Sequence, residues 1–306
     1  MSTITKTIVA TGASSGLGFE LVKQLLSQPS QPYNFILGAR DVSRTQQAYS
    51  SLNYDNTKHS LTVLPLELNS LKNTKTFAQQ TLEKLGSQHK LDYLLLNAGI
   101  TDPAGPPTEK TKGQKWCDAL VVNHLAQHYL IHLLKPKLLS SSPARVIVVS
   151  SGSIRRVSDV STLEQDLRAG SGVTGHDTYS QSKFVQLLGA HWWRRQFTAL
   201  NEQGKGDVKV VAVSPGLIPA TGIGRGAGFA ISDKMPDAKT VPEGAQSIFR
   251  AFTRDDFPED PDQIFLTSWG EWWSKDTIEK TLDKELQDKW CPSKEEIEQE
   301  EGLVDA

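Results

Sequence analysis

The feature that most constrains this fold is a glycine-rich turn near the start of the chain. It lies between a short apolar strand and a helical segment, in the stretch Ile8-Val-Ala-Thr-Gly-Ala-Ser-Ser-Gly-Leu-Gly18. Glycine lets the backbone bend sharply, approach a ligand closely and pack a helix against a strand. The helix beginning near Gly16 offers unpaired backbone N–H groups and a partial positive charge, which suit a pyrophosphate. The stretch therefore predicts a dinucleotide site after the first strand, the alternative being an ordinary strand-to-helix turn.

Apolar runs that indicate strands alternate along the chain with segments of helical spacing. The predicted strands are Thr7–Ala10, Asn34–Leu37, Leu61–Leu66, Tyr93–Leu96, Arg145–Val149, Val208–Val213 and Ile264–Thr267. The predicted helices are Leu17–Gln28, Ser43–Leu52, Leu71–Leu85, Gln114–Leu139 and Tyr179–Leu200. Several strands are apolar at consecutive positions, as expected when helices cover both faces of a sheet. Repeated βα units predict a single Rossmann-type α/β fold, a doubly wound parallel sheet in three α/β/α layers.

No Pro/Gly/Ser linker is long enough to divide the chain, so one domain is expected over residues 1–306, with its core in residues 5–267. Residues 217–240 are rich in glycine and proline and predict a substrate lid, the alternative being a plain surface loop. Its apolar inner face would come from Ile223, Phe229, Ile231 and Met235. Residues 268–306 form a C-terminal extension, whose capping box predicts a short acidic helix in a solvated tail.

Composition and charge narrow the range of partners. The 306 residues carry a formal net charge of −2, and no basic stripe is present, so nucleic acid is not expected. No apolar run approaches the roughly 20 residues that span a bilayer, and the chain starts directly with a strand, so neither a membrane span nor a signal peptide is expected. Cys117 and Cys291 are far apart, which favours reduced thiols and a cytoplasmic location. His124 and His128 have metal-ligand spacing without a third ligand, so no metal is expected.

The end of the second strand favours NADP over NAD. An acidic side chain there would bind the adenosine ribose hydroxyls, but Ala39 occupies the position and is followed by Arg40 and Arg44. A guanidinium forms paired hydrogen bonds with a phosphate, so the two arginines predict a site for the 2′-phosphate of NADP(H). The alternative is a solvated helix start, in which Asp41 pairs with either arginine.

Small and polar residues follow the next three strands. Glu67 could receive the adenine amino group or could cap the following helix. Asn97-Ala-Gly99 comes at the carboxyl end of the fourth strand, where ligands bind in such sheets. Ser151 and Ser153 follow the fifth strand. Asn123 falls inside a helical pattern, where a surface asparagine is the plain interpretation.

Six motifs occur along the chain in a fixed order. They are Thr11-Gly-Ala-Ser-Ser-Gly-Leu-Gly18, Asn97-Ala-Gly99, Asn123, Ser151, Tyr179-Ser-Gln-Ser-Lys183 and Pro215-Gly216. The set resembles the short-chain dehydrogenase/reductase family, whose patterns are TGxxxGxG, NAG, a helix Asn, a strand-end Ser, YxxxK and PG. The resemblance covers about residues 5–250. Within the family, the chain looks like the carbonyl reductase, retinol dehydrogenase and protochlorophyllide reductase-like members.

The resemblance implies a catalytic centre of four side chains. Tyr179 would exchange a proton with the substrate oxygen, and Ser151 would hydrogen-bond that oxygen, with Ser153 as the alternative. Lys183 would bind the nicotinamide ribose and lower the pKa of Tyr179. Asn123 would hold a water in a proton relay.

The resemblance also implies an NADP(H) site along the carboxyl ends of the strands. Thr221 would replace Ala220 at a position where a threonine is common, and Glu67 stands where Asp is usual. The implied cofactor contacts are Gly12, Ser14, Ser15, Gly16, Leu17, Gly18, Arg40, Arg44, Glu67, Leu68, Asn97, Ala98, Gly99, Tyr179, Lys183, Pro215, Gly216, Ile218 and Thr221.

The expected function is NADP(H)-dependent hydride transfer to or from a carbonyl or alcohol group of a medium-sized hydrophobic molecule. One alternative, suggested by Pro215-Gly-Leu-Ile-Pro-Ala-Thr-Gly222, is reduction of a conjugated C=C bond. Another is a dinucleotide-binding sensor without turnover. A homodimer through the helices around Asn123 and Tyr179 is an open option, although the long connector before Tyr179 could block that surface.

Overall fold

A parallel sheet forms the centre of the computed structural model, which describes residues 4–106, 113–219, 221–225, 232–235 and 237–303. Within that part of the chain the sheet has seven strands in the order β3-β2-β1-β4-β5-β6-β7. They are β1 Lys6–Thr11, β2 Tyr33–Ala39, β3 Ser60–Pro65, β4 Tyr93–Leu96, β5 Ala144–Val149, β6 Val208–Val213 and β7 Phe265–Leu266. The strand order reverses at β1, which places a crevice between the carboxyl ends of β1 and β4. The predicted doubly wound Rossmann-type sheet is confirmed.

Helices cover both faces of the sheet. They are α1 Gly16–Leu26, α2 Val42–Ser50, α3 Leu71–Leu85, α4 Asp118–Leu120, α5 Ala126–Ser140, α6 Leu163–Asp166, α7 Gly175–Glu202, α8 Val241–Thr253, α9 Lys275–Ile278, α10 Lys284–Trp290 and α11 Lys294–Glu300. None of the helices in the described ranges has the length and apolar character needed to cross a bilayer.

Two of the predicted helices differ from those observed. The continuous helix over Gln114–Leu139 is wrong, because a π-helical turn, Val121–Leu125, separates α4 from α5. The helix that carries Tyr179 begins earlier than predicted, at Gly175, because the Thr174 side chain accepts the backbone N–H of Asp177 and caps it. Tyr179 therefore lies within α7 and not at its first residue.

Each face of the sheet has its own apolar core. In β1, Val9 belongs to one core, while Ile8 and Ala10 belong to the other. Since successive strand residues point to opposite faces, a strand buried on both sides has no polar positions to interrupt it. This explains the consecutive apolar residues in the sequence.

The C-terminal segment, residues 283–303, packs against α5 and α7. Ser293 and Glu296 form the predicted capping box of α11, but Ile297 is buried and the Tyr129 hydroxyl of α5 donates to Glu298 (2.7 Å). The predicted solvated tail is therefore wrong. A helix of seven residues is too short to show an apolar period, so its single buried isoleucine gave no signal.

The buried position of Ile297 generates a stability prediction. Ile297 is 2% exposed, whereas Ile4 is 77% exposed. Ile297→Ala should lower the free energy of unfolding by about 2–5 kcal/mol, because it removes buried methyl groups and leaves a cavity. The control, Ile4→Ala, should change it by less than about 0.5 kcal/mol. Urea unfolding measures both, and equal effects would contradict the docked position of α11.

Candidate active site

The glycine turn is packed directly onto the end of β4. The Thr11 hydroxyl accepts the backbone N–H groups of Asn97 and Ala98, each at 3.1 Å, and the Asn97 side chain donates to the Gly12 carbonyl at 2.8 Å. Gly12 has φ +66°, and a Cβ there would lie 2.6 Å from the Cα of Ala98. A side chain at Gly12 would therefore separate the two strand ends that form the crevice.

The first turn of α1 keeps its backbone N–H groups free of side-chain caps. Ser15 occupies the N-cap position and makes no side-chain hydrogen bond to the helix, and both Ser14 and Ser15 are exposed. A Cβ at Gly18 would lie 2.4 Å from the Gly12 carbonyl oxygen, so the helix is in direct contact with the turn. This geometry fits a pyrophosphate, which the uncapped N–H groups can bind.

Arg40 and Arg44 lie just beyond β2, and both are exposed. Asp41 does not form the ion pair with Arg40 or Arg44 that the solvated-helix-start interpretation required. Its carboxylate accepts the backbone N–H of Arg44 at 2.9 Å and caps α2. Both guanidinium groups thus remain accessible to a ligand. Tyr49 of α2, which the sequence did not single out, donates to the Ala13 carbonyl at 2.6 Å and holds α2 against the glycine turn.

The capping alternative for Glu67 is wrong. Ser70 caps α3, because its hydroxyl accepts the backbone N–H of Asn73 at 3.2 Å. The Asn73 side chain in turn accepts the backbone N–H of Glu67 at 2.5 Å. Glu67 is partly exposed and Leu68 is buried, so the Glu67 carboxylate stands at the end of β3 without a capping role.

Tyr179 and Ser151 meet at the carboxyl end of β5. Ser151 begins a 3₁₀ turn, Gly152–Arg156, and its hydroxyl accepts the backbone N–H of Ser153 at 3.2 Å. Burial raises the pKa of Tyr179, and the nearby Ser151 side chain partly opposes that rise. Ser153 makes no such contact, since its hydroxyl is buried without a hydrogen-bond partner among the described residues. Of the two serines, Ser151 is the one placed at the phenol.

Lys183 lies one helical turn after Tyr179 and is 2% exposed. Its amine donates to the Val149 carbonyl at 2.8 Å and to Gln186 Oε1 at 3.0 Å, and lies 5.9 Å from the centre of the Tyr179 ring. A Cβ on Gly99 would lie 3.4 Å from the amine, so the end of β4 borders it closely. Burial lowers the pKa of Lys183 to about 7.

Asn123 lies in the π-helical turn and is buried, so the surface-asparagine interpretation is wrong. Its amide binds the backbone of Ile100, accepting the N–H at 2.8 Å and donating to the carbonyl at 3.0 Å. It also donates to the Ser182 hydroxyl at 2.9 Å. Asn123 therefore fixes the loop after β4 to the helix that carries Lys183, and its role in a water relay stays a prediction.

The segment after β6 returns to the glycine turn. Gly216 has φ +99°, a conformation that side chains disfavour. Ile218 is buried. Its side chain and the Leu17 side chain both pack where a side chain on Gly244 would lie. The Thr221 methyl group would lie 3.7 Å from a Cβ on Gly16. The start of the predicted lid is thus in contact with the predicted cofactor site.

A hydrogen bond joins this segment to the opposite side of the crevice. The Thr101 hydroxyl, in the loop after β4, donates to the Ile223 carbonyl. Met235 is exposed, while Ala220, Phe229 and Ile231 lie outside the described residues.

Trp273 borders the site from the C-terminal extension. A Cβ on Gly152, next to Ser151, would lie 3.5 Å from the Trp273 ring. The Arg155 guanidinium lies 5.1 Å from the centre of the same ring, and Phe265 stacks on it with centroids 5.5 Å apart. This contact could not be read from the sequence, because Trp273 lies more than a hundred residues after Ser151 along the chain.

In the described part of the chain, the histidine pair with metal-ligand spacing and the two cysteines are buried by packing contacts. His124 and His128 are buried in contact with aromatic rings, and Cys117 and Cys291 are free and buried. Within the described ranges, no group of three or more His, Cys, Asp or Glu side chains is arranged to hold a metal ion.

A phenol, a serine hydroxyl and a lysine amine beside the glycine turn of a doubly wound sheet characterise a class of nicotinamide-dependent oxidoreductases. The family model for the short chain dehydrogenase matches residues 6–160. A short-chain dehydrogenase/reductase of Pestalotiopsis microspora is 57% identical over 300 residues, 97% of this chain and 99% of that protein. The chain belongs to the short-chain dehydrogenase/reductase family of oxidoreductases.

More distant relatives agree with this assignment. Retinol dehydrogenase 14 of Mus musculus is 30% identical over 230 residues, which are 72% of this chain and 63% of that protein. The structure of NADPH-bound carbonyl reductase from chicken fatty liver superimposes with a TM-score of 0.63. The superposition covers 88% of this chain and 99% of that one at 24% identity, and so supports the fold.

The buried amine of Lys183 generates a pH prediction. Below pH 7 the amine is charged in both the folded and the unfolded chain, so its burial opposes folding in full. As the pH rises from 7 towards 10.5, the amine loses its proton in the folded chain and keeps it in the unfolded chain, so the destabilisation caused by its burial decreases. Lys183→Met should therefore stabilise the protein more at about pH 6 than at about pH 9.

Urea unfolding of the protein without cofactor measures this difference. Lys72→Met is the matched control, because Lys72 is exposed on α3 and solvated in both states. A Lys183→Met effect that does not change with pH, like that of the control, would contradict the burial of an ionisable amine at this position.

Proposed function

We propose that this protein is an NADP(H)-dependent oxidoreductase that interconverts a carbonyl and an alcohol on a medium-sized hydrophobic molecule. The observation that carries the proposal is the meeting of the Tyr179 phenol and the Ser151 hydroxyl near the buried amine of Lys183. These groups lie at the carboxyl ends of β4 and β5. Gly99 borders the Lys183 amine there, and it follows directly along the chain from the residues that contact the glycine turn.

The residues of the crevice fit the parts of NADP(H). The uncapped start of α1 and the side-chain-free surface at Gly12 suit the pyrophosphate. Arg40 and Arg44 would hold the 2′-phosphate, and Glu67 with Leu68 would border the adenine. The nicotinamide half would be held by Asn97-Ala-Gly99, Tyr179, Lys183, Pro215, Gly216, Ile218 and Thr221. When bound, the cofactor supplies or accepts the hydride.

Tyr179 is the proposed general acid and base. Burial raises the pKa of its phenol, so in the carbonyl-reducing direction the phenol holds a proton that it can donate to the developing alkoxide. Ser151 would hydrogen-bond the same oxygen and fix its position. In the oxidising direction the phenol must first lose its proton, and a charged Lys183 close to the ring would favour that loss. At 5.9 Å, the amine has to move towards the ring to exert this effect in full.

An apolar wall supports a hydrophobic substrate. Trp273 borders the turn after Ser151, and Ile154 in that turn is buried. The relatives named retinol dehydrogenases and a carbonyl reductase support carbonyl and alcohol chemistry. The C=C alternative rests on residues 215–222 alone, and the sensor alternative leaves the Tyr179 and Ser151 contact without a role.

The homodimer and the cytoplasmic location stay predictions. The faces of α5 and α7 that the dimer would use carry the protein's own C-terminal segment, through bonds such as Arg195 to Gln287 and Asp288. We therefore propose that any dimer uses another surface.

Removal of the Tyr179 hydroxyl tests the catalytic proposal. Tyr179→Phe should lower kcat/KM for carbonyl reduction by about 10²–10⁴-fold, the usual contribution of a positioned general acid, and should leave NADPH affinity nearly unchanged. The assay is NADPH oxidation with a panel of ketones, aldehydes and enones. Tyr54→Phe, in the loop between α2 and β3, is the control. Turnover of enones alone would favour the C=C alternative, and retained turnover in Tyr179→Phe would remove Tyr179 from the mechanism.

Removal of Arg40 tests the cofactor proposal. Arg40→Ala should weaken NADPH binding by roughly 10- to 100-fold, because charge-assisted bonds to a phosphate are lost. NADH, which lacks that phosphate, should bind the variant and the wild type equally. Fluorescence titration with both cofactors measures the two affinities. If they fall together, the arginine does not select the phosphate.

A further inference from the structure

A small cavity lies behind Lys183, between the sheet, α5 and α7. Its volume is about 20 Å³, which is room for one water molecule. Every residue that lines it is buried, and most of the lining is apolar. Its polar lining includes His124 in the π-helical turn that carries Asn123, Gln127 on α5, and Gln186 on the helix that carries Tyr179 and Lys183.

Two amide atoms on this lining are buried without a hydrogen-bond partner in the described part of the chain. They are Gln127 Oε1 and Gln186 Nε2. The other atom of each amide is engaged. Gln127 Nε2 donates to the Ala98 and Val122 carbonyls at 3.0 and 2.9 Å, and Gln186 Oε1 accepts from the Lys183 amine. These bonds fix both amide orientations, which leaves one free acceptor and one free donor.

His124 supplies a second acceptor. Its Nε2 lies 2.7 Å from the Trp290 carbonyl, which can only accept, so Nε2 carries the proton and Nδ1 is bare. Burial lowers the pKa of His124 to about 4, so the ring is neutral at neutral pH. Nδ1 would lie 3.1 Å from a Cβ on Gly189, and Gly189 itself lines the cavity.

We propose that this cavity binds one water molecule, and that the water, through Gln186, positions the Lys183 amine. The water would accept from Gln186 Nε2 and donate to Gln127 Oε1 and His124 Nδ1, which uses both of its protons and a lone pair. A buried polar atom without a partner is unfavourable, so the water keeps Gln186 Nε2 on the cavity side. Gln186 Oε1 then faces the amine.

The consequence for Lys183 rests on the proposed function, whereas the water site does not. Gln186 Oε1 and the Val149 carbonyl hold the amine away from the Tyr179 ring. A bound nicotinamide ribose must compete with Gln186 for the amine. Gln186 is thus a positioning residue, which acts on the reaction through Lys183.

A titration of Lys183 tests the positioning role without any substrate. The ε-carbon NMR signal of ¹³C-labelled lysine should report a midpoint near pH 7 in the wild type, because burial alone shifts this pKa. Gln186→Leu should lower the midpoint by roughly one unit, because it removes an acceptor that favours the charged amine. Gln186→Glu should raise it. Gln196→Leu, which is also on α7 and partly buried, should leave it unchanged. An unchanged midpoint in Gln186→Leu would overturn the positioning role.

A crystal structure at about 1.5 Å or better tests the water site, since ordered waters occupy polar cavities of this size. We expect one water within hydrogen-bond distance of Gln127 Oε1, His124 Nδ1 and Gln186 Nε2, and we expect it to be lost in Gln186→Leu. A dry cavity, or amides turned to bond each other, would overturn the site. Neither test needs turnover, so a failed carbonyl assay would overturn the proposed function and leave the water site standing.

If carbonyl reduction is observed, its pH profile gives a third measurement. Gln186→Leu should move the limb of the kcat/KM profile that follows Lys183 to lower pH, in the same direction as the NMR midpoint. A uniform loss of activity without that movement would indicate a structural role only and would count against the proposal.

Discussion

The junction between β1 and β4 is the constraint on which the rest of the site depends. The Thr11 hydroxyl binds two consecutive N–H groups of β4, and the Asn97 amide binds the carbonyl of the glycine turn. This double attachment is close enough that Gly12 cannot carry a side chain. It sets the distance between the turn and Gly99, which borders the Lys183 amine. The start of α1 and the amine are therefore placed relative to each other by one rigid contact between strand ends.

Burial of an amine beside this junction has opposite effects on stability and on chemistry. Lys183 is held by one carbonyl and one amide oxygen, neither of which carries a charge, so folding loses the full hydration of the ammonium. The same burial brings its pKa to about 7, where protonation responds to small changes in its surroundings. A bound ligand that adds or removes one acceptor can then change the charge of the site at constant pH.

The sheet and its long helices could be predicted because each is encoded locally. Consecutive apolar residues identify strands covered on both sides, and Tyr179 and Lys183 are four positions apart on one helix, so their common face needs no tertiary information. The features that could not be predicted depend on contacts between distant segments. The π-helical turn accompanies the hydrogen bonds between the Asn123 side chain and the Ile100 backbone. Gln127 and Gln186 line one cavity only because α5 packs near α7. Trp273 and Ile297 come from the extension, where no periodic pattern indicates which side faces the protein.

The order of synthesis gives the C-terminal segment a particular place in the assembly of this protein. His124 obtains its acceptor from the carbonyl of Trp290, and His128 and His132 meet the carbonyl of Pro292. A ribosome releases those carbonyls after every residue of the sheet and of the catalytic set has already emerged. A chain whose sheet has formed but whose residues 283–303 have not yet packed therefore lacks the acceptor for the His124 N–H group, so the packing of this segment sets the tautomer of that imidazole.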